Sequence, residues 1–162
     1  MSQADYFLKV DGAPGESMDK KHSGEIELIS FGFGASQVGS ASYGKGLGAG
    51  KVQMRDFSFV MKANKAGPKL FLACAQGTGI KTAVLTCRKA GKDQQDYLKV
   101  TFTDLLVSSY SEDGAGGTDP IPIQSISLNF SKIEYEYKEQ NADGSLGGTT
   151  KSHFDLKTNQ GG

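Results

Sequence analysis

Apolar and polar positions alternate along much of the chain, and in three places the alternation changes phase. Over residues 125–137, Ile126, Leu128 and Phe130 share one face of an extended chain, while Ile133, Tyr135 and Tyr137 share the other. Successive side chains on a strand point to opposite faces. The switch at Ser131-Lys132 therefore predicts a bulge, or a strand whose apolar cover lies on different faces along its length. Leu98, Val100 and Phe102 give way in the same manner to Leu105 and Val107 across Thr103-Asp104, and Ile26 and Leu28 are followed by Ile29, Phe31 and Phe33. One small core cannot easily cover both faces. Long strands that move their apolar face belong either to strongly bent barrels or to sheets covered on the outside by a neighbouring subunit.

Around these segments the pattern predicts strands over 6–10, 25–33, 51–62, 80–89, 97–110, 121–137 and 151–157, the last with Phe154 and Leu156 alternating. The one convincing helix is short. Pro68 suits its first turn, Leu70, Phe71 and Cys74 give it an apolar side, and Gly77 suits its end. Residues 11–24 read as a polar loop, 111–122 as a loop rich in glycine and acid, and 141–148 as a turn region. Residues 34–50 carry six glycines, with only Val38, Tyr43 and Leu47 as sizeable side chains, too little apolar area to order the segment alone. No repeat or linker divides the chain, which predicts one domain over 1–162. The fold class is mainly β: a barrel or two-sheet sandwich with one short flanking helix and a long Gly-rich extended loop.

Composition narrows what such a fold could do. At 162 residues the chain can bury a sizeable core without disulfide or metal. Eighteen basic residues balance eighteen acidic ones, and no basic stripe stands out, which argues against nucleic acid as a partner. Zero net charge leaves little repulsion between copies and favours self-association. The first residues lack the pattern of an export signal, and no stretch approaches the ~18 apolar residues of a membrane span. The expectation is a protein made in the cytosol, which another machine must carry if it is exported. Cys74 and Cys87 read as two small buried hydrophobes.

Candidate chemistry is weak throughout. Gly50-Lys51 invites a phosphate-loop reading, but Lys45 and Val52 stand where that motif needs Gly and Ser or Thr, and a strand follows where a helix is required. The glycines do not form a dinucleotide spacing, and no Gly-x-Ser-x-Gly elbow occurs around Ser36, Ser40 or Ser42. His22 and His153 read as exposed structural histidines, since nothing in the sequence brings them to a nucleophile. Cys74 and Cys87 lack a second pair for a zinc site. Residues 141–145 copy part of a calcium loop, but Ser152 stands where the closing Glu belongs, so a hairpin turn is the expectation. Glu112, Asp113 and Asp119 fall in a solvated loop tip. The expectation is therefore no enzyme, no catalytic or metal site and no cofactor.

Assembly is the reading left. A loop of about seventeen residues is long for a compact domain, and such loops are functional or disordered. Residues 34–50 are either a surface insertion or an arm that orders against a neighbouring copy through Val38, Tyr43 and Leu47. After its phase slip, the second strand sets Phe31 and Phe33 on one face and Ser30, Gly32 and Gly34 on the other. Large apolar residues on both faces would mark a strand buried on both sides, so the small residues suit an open wall. The alternative is that glycine admits a closely packed backbone.

The ordered succession DYFLKVDG, GESMDKKH, EIELISFGFGASQVGS, GKVQMRDFSF, FLACAQG, AVLTCRKAG, YLKVTFTDLLVSSYS and LNFSKIEYEY closely resembles the Hcp family, the haemolysin-coregulated proteins of bacterial type VI secretion systems. The resemblance runs over essentially the whole chain. It implies a β-barrel of two sheets with a flanking helix, assembling as a hexameric ring whose rings stack into the inner tube of the apparatus. It also implies release through that apparatus without a signal peptide, and partners among its spike, sheath and effector proteins. The chain end soon after the last strand is expected of the form without a fused toxin domain. One departure is that relatives often place tryptophans near the second strand, where this chain has Phe31-Gly32-Phe33 and no Trp. With the resemblance, Ser30 and Gly32 become candidates to face the lumen and its cargo. A β-sandwich binding small molecules or sugars is the competing reading, and would require a polar pocket with convergent aromatics.

Overall fold

The computed structural model describes residues 4–37, 52–89, 94–117 and 120–162. In chain order the elements are β1 (Ala4–Val10), β2 (Ile26–Glu27), β3 (Ser30–Ser36), β4 (Gln53–Lys62), α1 (Ala66–Gln76), β5 (Ile80–Lys89), β6 (Gln95–Asp113), β7 (Ile123–Gln140), β8 (Leu146–Asp155) and β9 (Gln160–Gly161). The strands form one nine-stranded antiparallel sheet, whose main path runs β2-β1-β5-β6-β7-β4-β3, with β8 and β9 branching from β7. Both ends of that path are supplied by one stretch of chain. Leu28 donates its amide to Tyr6 on β1 and Ile29 donates to Val60 on β4. The segment expected as a single strand over 25–33 thus changes neighbour at its phase slip and supplies both end strands, β2 and β3, which do not pair with each other, so the strands make one open, curled sheet where a barrel of two sheets was expected. Ile29 sits at this crossing and is 50% exposed, where the alternation had placed it beside Phe31 and Phe33 in the core.

The other two slips face each other. β6 and β7 keep one register through them, with Phe102 opposite Ile133 and Leu105 opposite Phe130. All four side chains are buried in the same core. No extra residue is inserted there. Asp104 instead adopts a left-handed backbone with φ of 54°, uncommon for a residue other than glycine, and turns β6 so that its apolar side stays inward. On β7, Ser131 marks the level at which the edge opposite β6 exchanges partners, β4 pairing below it along Ile123 to Leu128 and β8 above it along Lys132 to Gln140. The Ser131 carbonyl accepts from the Leu156 amide at 2.8 Å, and its hydroxyl donates to the Asp104 carbonyl at 3.3 Å. One core therefore covers both halves of these strands, and the strongly bent sheet is the reading that holds.

An aromatic series fills the interior. Phe57 lies 4.6 Å from Phe102 between ring centroids, Phe102 4.8 Å from Phe130, and Tyr6 edges onto Phe31 at 5.0 Å. Tyr135 and Tyr137 continue the inward side of β7 but are 39% and 41% exposed, toward the end of the strand. Helix α1 ends as its sequence predicts, with Gly77 left-handed. It meets the sheet through Ala66, Gly67 and Leu70; a Cβ on Gly67 would stand 2.7 Å from the Gln124 amide, so any larger residue would have to displace that side chain. Phe71 is 57% exposed rather than part of the buried side, because the packed side of the helix runs through Ala66, Leu70, Ala73 and Cys74 and Phe71 stands beside it, its ring set edgewise to Tyr110 at 5.5 Å. Cys87 is buried, its thiol pKa pushed up to about 12 by burial, while Cys74 is half-buried. The 141–145 segment is a hairpin turn, with the Asn141 amide donating to the Ser145 carbonyl at 2.8 Å.

Candidate functional site

The outer surface of the sheet contains two unlike regions. The first lies on β3, β4, β7 and the end of β6. Where core residues Phe57, Phe59, Ile126 and Leu128 point inward, the alternate positions carry Ser30, Gly32, Ser58, Ser125, Ser127, Ser109 and Ser111 around one apolar residue, Val60. The register sets them side by side: Gly32 opposite Ser58, Ser58 opposite Ser127, Ser127 opposite Ser109, and Ser125 opposite Ser111. Together they line a shallow depression of about 360 Å³. The hydroxyls of Ser109 and Ser127 bond to each other, and that of Ser58 donates to the Gly32 carbonyl at 3.4 Å.

At Gly32 the alternative of a closely packed backbone finds no counterpart among the described residues. A Cβ there would meet only side-chain atoms, Ser58 Oγ at 3.6 Å and an Arg55 nitrogen at 3.9 Å, which are ordinary contacts. Gly34 differs. A Cβ there would come within 2.9 Å of Arg55 Nε, so its absence makes room for that side chain to lie across β3 and donate to the Phe33 carbonyl at 3.1 Å. Arg55 is the one charged side chain among the described residues lining the depression. Val38, Tyr43 and Leu47 lie outside the described residues.

The second region lies over β1 and β5 and was missed in the sequence. Phe7 points away from the barrel core yet is only 2% exposed, because residues 11–25 fold over it. The His22 ring stacks on one face of Phe7 at 4.5 Å, and the Arg88 guanidinium lies 4.8 Å from the ring centre. Arg88, itself 3% exposed, reaches Asp19 at 2.8 Å and Asp5 at 3.0 Å. The Asp19 carboxylate also accepts the amides of Lys21 at 2.9 Å and His22 at 3.2 Å. Its hydrogen bond to Arg88 holds its pKa well below the usual carboxylate range against the opposing effect of burial. His22, expected to be exposed, is 6% exposed, with Nδ1 3.0 Å from Glu25 and Nε2 3.1 Å from Asp96. Burial presses its pKa down, but the two carboxylates outweigh that and raise it. His153 is exposed, as expected. The only sequence signal for this cluster was Phe7, an aromatic out of phase with Tyr6, Leu8 and Val10.

Among the described residues no group of three or more His, Cys, Asp and Glu is arranged to hold a metal ion, and His22 faces carboxylates rather than a nucleophile. No helix among the described residues is long and apolar enough to cross a membrane.

Comparison with known proteins gives this surface its setting. Residues 7–137 match the family model described as "Type VI secretion system effector, Hcp". The chain is 41% identical over 157 residues to protein hcp1 of Pseudomonas aeruginosa, covering 96% of each chain. Among solved structures, it resembles one described as a type six secretion system protein with a TM-score of 0.91 and 31% identity, covering 98% of this chain and 99% of the other. It also resembles Hcp1 of Salmonella typhimurium, with a TM-score of 0.80, 34% identity and 99% of both chains covered. The bent mainly-β fold and the match over most of its length place this chain in the Hcp family of type VI secretion system proteins.

Proposed function

We propose that this type VI secretion tube protein works as a closed ring of six copies, stacked ring on ring, with the serine-lined face of β3, β4, β7 and β6 turned to the lumen. A ring requires two different complementary patches on each copy, related by a rotation that closes, and a stable contact would bury roughly 800 Å² per partner. Ser30 and Gly32 then belong to the wall along which effector proteins pass or are held. Val38, Tyr43 and Leu47 belong to an arm reaching a neighbouring copy. Spike, sheath and effector proteins of the apparatus are its partners, and the protein leaves the cell through that apparatus.

The observation that carries the lumenal assignment is the row of small hydroxyl side chains beside the open surface at Gly32. A short, nearly uncharged wall neither narrows a channel nor binds one sign of charge tightly. The competing reading, a small-molecule-binding β-sandwich, has no support from the relatives found, which are secretion proteins. Gly32→Trp tests the assignment. Rings should persist in electron micrographs while cargo retention falls; misfolding or loss of rings would reject the lumenal position. Replacing Val38, Tyr43 and Leu47 together by Ser should weaken ring formation or stacking and leave the domain folded, and unchanged assembly with unchanged secretion would remove the arm from the proposal.

A further inference from the structure

We propose that His22 is a pH-operated latch: as an imidazolium it ties the loop over β1 and β5 to the start of β6, and loss of its proton frees that loop. The inference starts from hydrogen-bond valence. Nδ1 lies 3.0 Å from a Glu25 oxygen, and Nε2 lies 3.1 and 3.2 Å from the two oxygens of Asp96. A neutral imidazole has one N–H and can serve only one of these carboxylates, leaving a bare nitrogen against the lone pairs of the other. The imidazolium donates to both. Glu25 ends the loop that contains His22, whereas Asp96 lies 74 residues away on β6, so the second proton joins two distant parts of the chain. The ring is stacked on Phe7 and almost wholly covered, so a lost bond leaves its nitrogen poorly hydrated, whereas the Asp96 carboxylate, 41% exposed, can turn to water and let the loop go.

The surrounding charges are of both signs, and those in contact with the ring favour this state. From the loop, Asp19 accepts the His22 amide, and Lys21 reaches the Gln94 carbonyl at 3.5 Å. From β5, Arg88 approaches the same Phe7 ring, its charge already engaged by Asp5 and Asp19. Lys9 of β1, Lys99 of β6, and Glu136 and Lys138 of β7 line the adjoining crevice. The three lysines oppose protonation there, but Glu25 and Asp96 are in direct contact with the ring. Their hydrogen bonds outweigh burial and raise the His22 pKa.

The latch controls a defined piece of surface. The loop keeps its shape through short bonds from Gly15 to Gly24, Ser17 to Glu25, and Gly24 to Ser17, each 2.8–2.9 Å between amide and carbonyl. It carries Met18, 94% exposed, beside Leu28 and half-exposed Ile29 around a groove of about 420 Å³. Protonated His22 holds that apolar rim in place; the neutral ring lets it move.

Amide hydrogen exchange of the full chain, read beside an NMR titration of His22, tests this. His22 should titrate above 6.5. Corrected for intrinsic exchange rates, protection at Gly15, Ser17 and Gly24 should fall about tenfold for each unit by which its midpoint exceeds 6.5, with amides of the β4–β7 ladder changing less than twofold. His22→Gln should show low loop protection already at pH 6 and no pH dependence. Should that variant not fold, Asp96→Asn replaces it and should lower the midpoint of the wild-type transition. A His22 midpoint at or below 6.5, loop protection flat with pH in the wild type, or an unchanged midpoint in Asp96→Asn would each overturn the latch.

Discussion

Two outer faces of one curled sheet differ in what covers them. Over β1 and β5 the wall carries Phe7, Thr86 and Arg88, all less than 10% exposed beneath residues 11–25. Over β3, β4 and β7 the corresponding outward positions around the depression carry serine and glycine with a single larger side chain, Val60, and its lining comes from the strands alone. Burying a large side chain outside the barrel requires a cover, and a cover containing charge requires partners for every buried group. The first face is covered within one chain and pairs its charges through Asp5, Asp19, Glu25 and Asp96, with only Arg88 Nε among the buried nitrogens of His22 and Arg88 left without a hydrogen-bond partner. The second buries little and asks for none. The contrast suggests that the clasped face serves the stability of the subunit while the bare face is kept available for what moves past it.

The sharpest way to break this comparison is to cut back the residue the clasp exists to cover. Phe7→Ala should cost about 3–5 kcal/mol in denaturant unfolding, as large as truncation of a barrel-core phenylalanine. A loss below about 1 kcal/mol would mean that the clasp contributes little. A second test uses the backbone turn that lets one core serve both halves of β6. Asp104→Val, a β-branched residue forced into a left-handed conformation, should cost about 1–3 kcal/mol, whereas Asp104→Gly should be neutral or slightly stabilising. Equal effects of the two would remove backbone conformation from the explanation.

The clasp should also be sensitive to pH in a direction the bare face is not. His22 has a raised pKa in the folded protein, so its contribution is complete below the ordinary value near 6.5 and is lost as pH rises through the folded value. Asp19 has a lowered one, so its contribution is complete above the ordinary value near 3.8 and is lost as pH falls. Unfolding free energy should therefore be greatest between about pH 4 and 6.5 and decline on the alkaline side by about 1.4 kcal/mol for each unit of His22 shift. His22→Gln should abolish that alkaline decline. The smallest effects belong to the bare face: Ser58→Ala and Ser127→Ala should each change stability by less than about 0.5 kcal/mol. A larger loss would show that these hydroxyls support the fold instead of lining a surface.

The bent sheet was legible in the sequence only as one of two readings, beside a sheet covered from outside by a neighbouring subunit, because the phase slips that mark it are local. Three phase slips in the apolar alternation mark the two places where the chain changes neighbour and the one, at Asp104, where the backbone takes a left-handed conformation. What alternation could not show was that one core fills both halves of β6 and β7. That depends on a single φ angle, and nothing about an aspartate announces a positive one. Ser30 and Gly32 were legible as small residues opposite Phe31 and Phe33, but the serines of β6 and β7 that complete the wall are joined to them only by long-range register. The clasp was misread because residues 11–24 look like any polar loop. Lys, Asp and His in sequence carry no sign that Arg88, some seventy residues on, supplies the partner that lets them be buried.

Electron microscopy of the purified protein, at a resolution that orients β3, tests the central claim most directly. The account predicts closed rings of six copies in which Ser30, Gly32, Ser58 and Ser127 face the central opening while Phe7 and its clasp lie away from it. Protein that remains monomeric at micromolar concentration, or rings in which the serine face is turned outward or buried between copies, would contradict it.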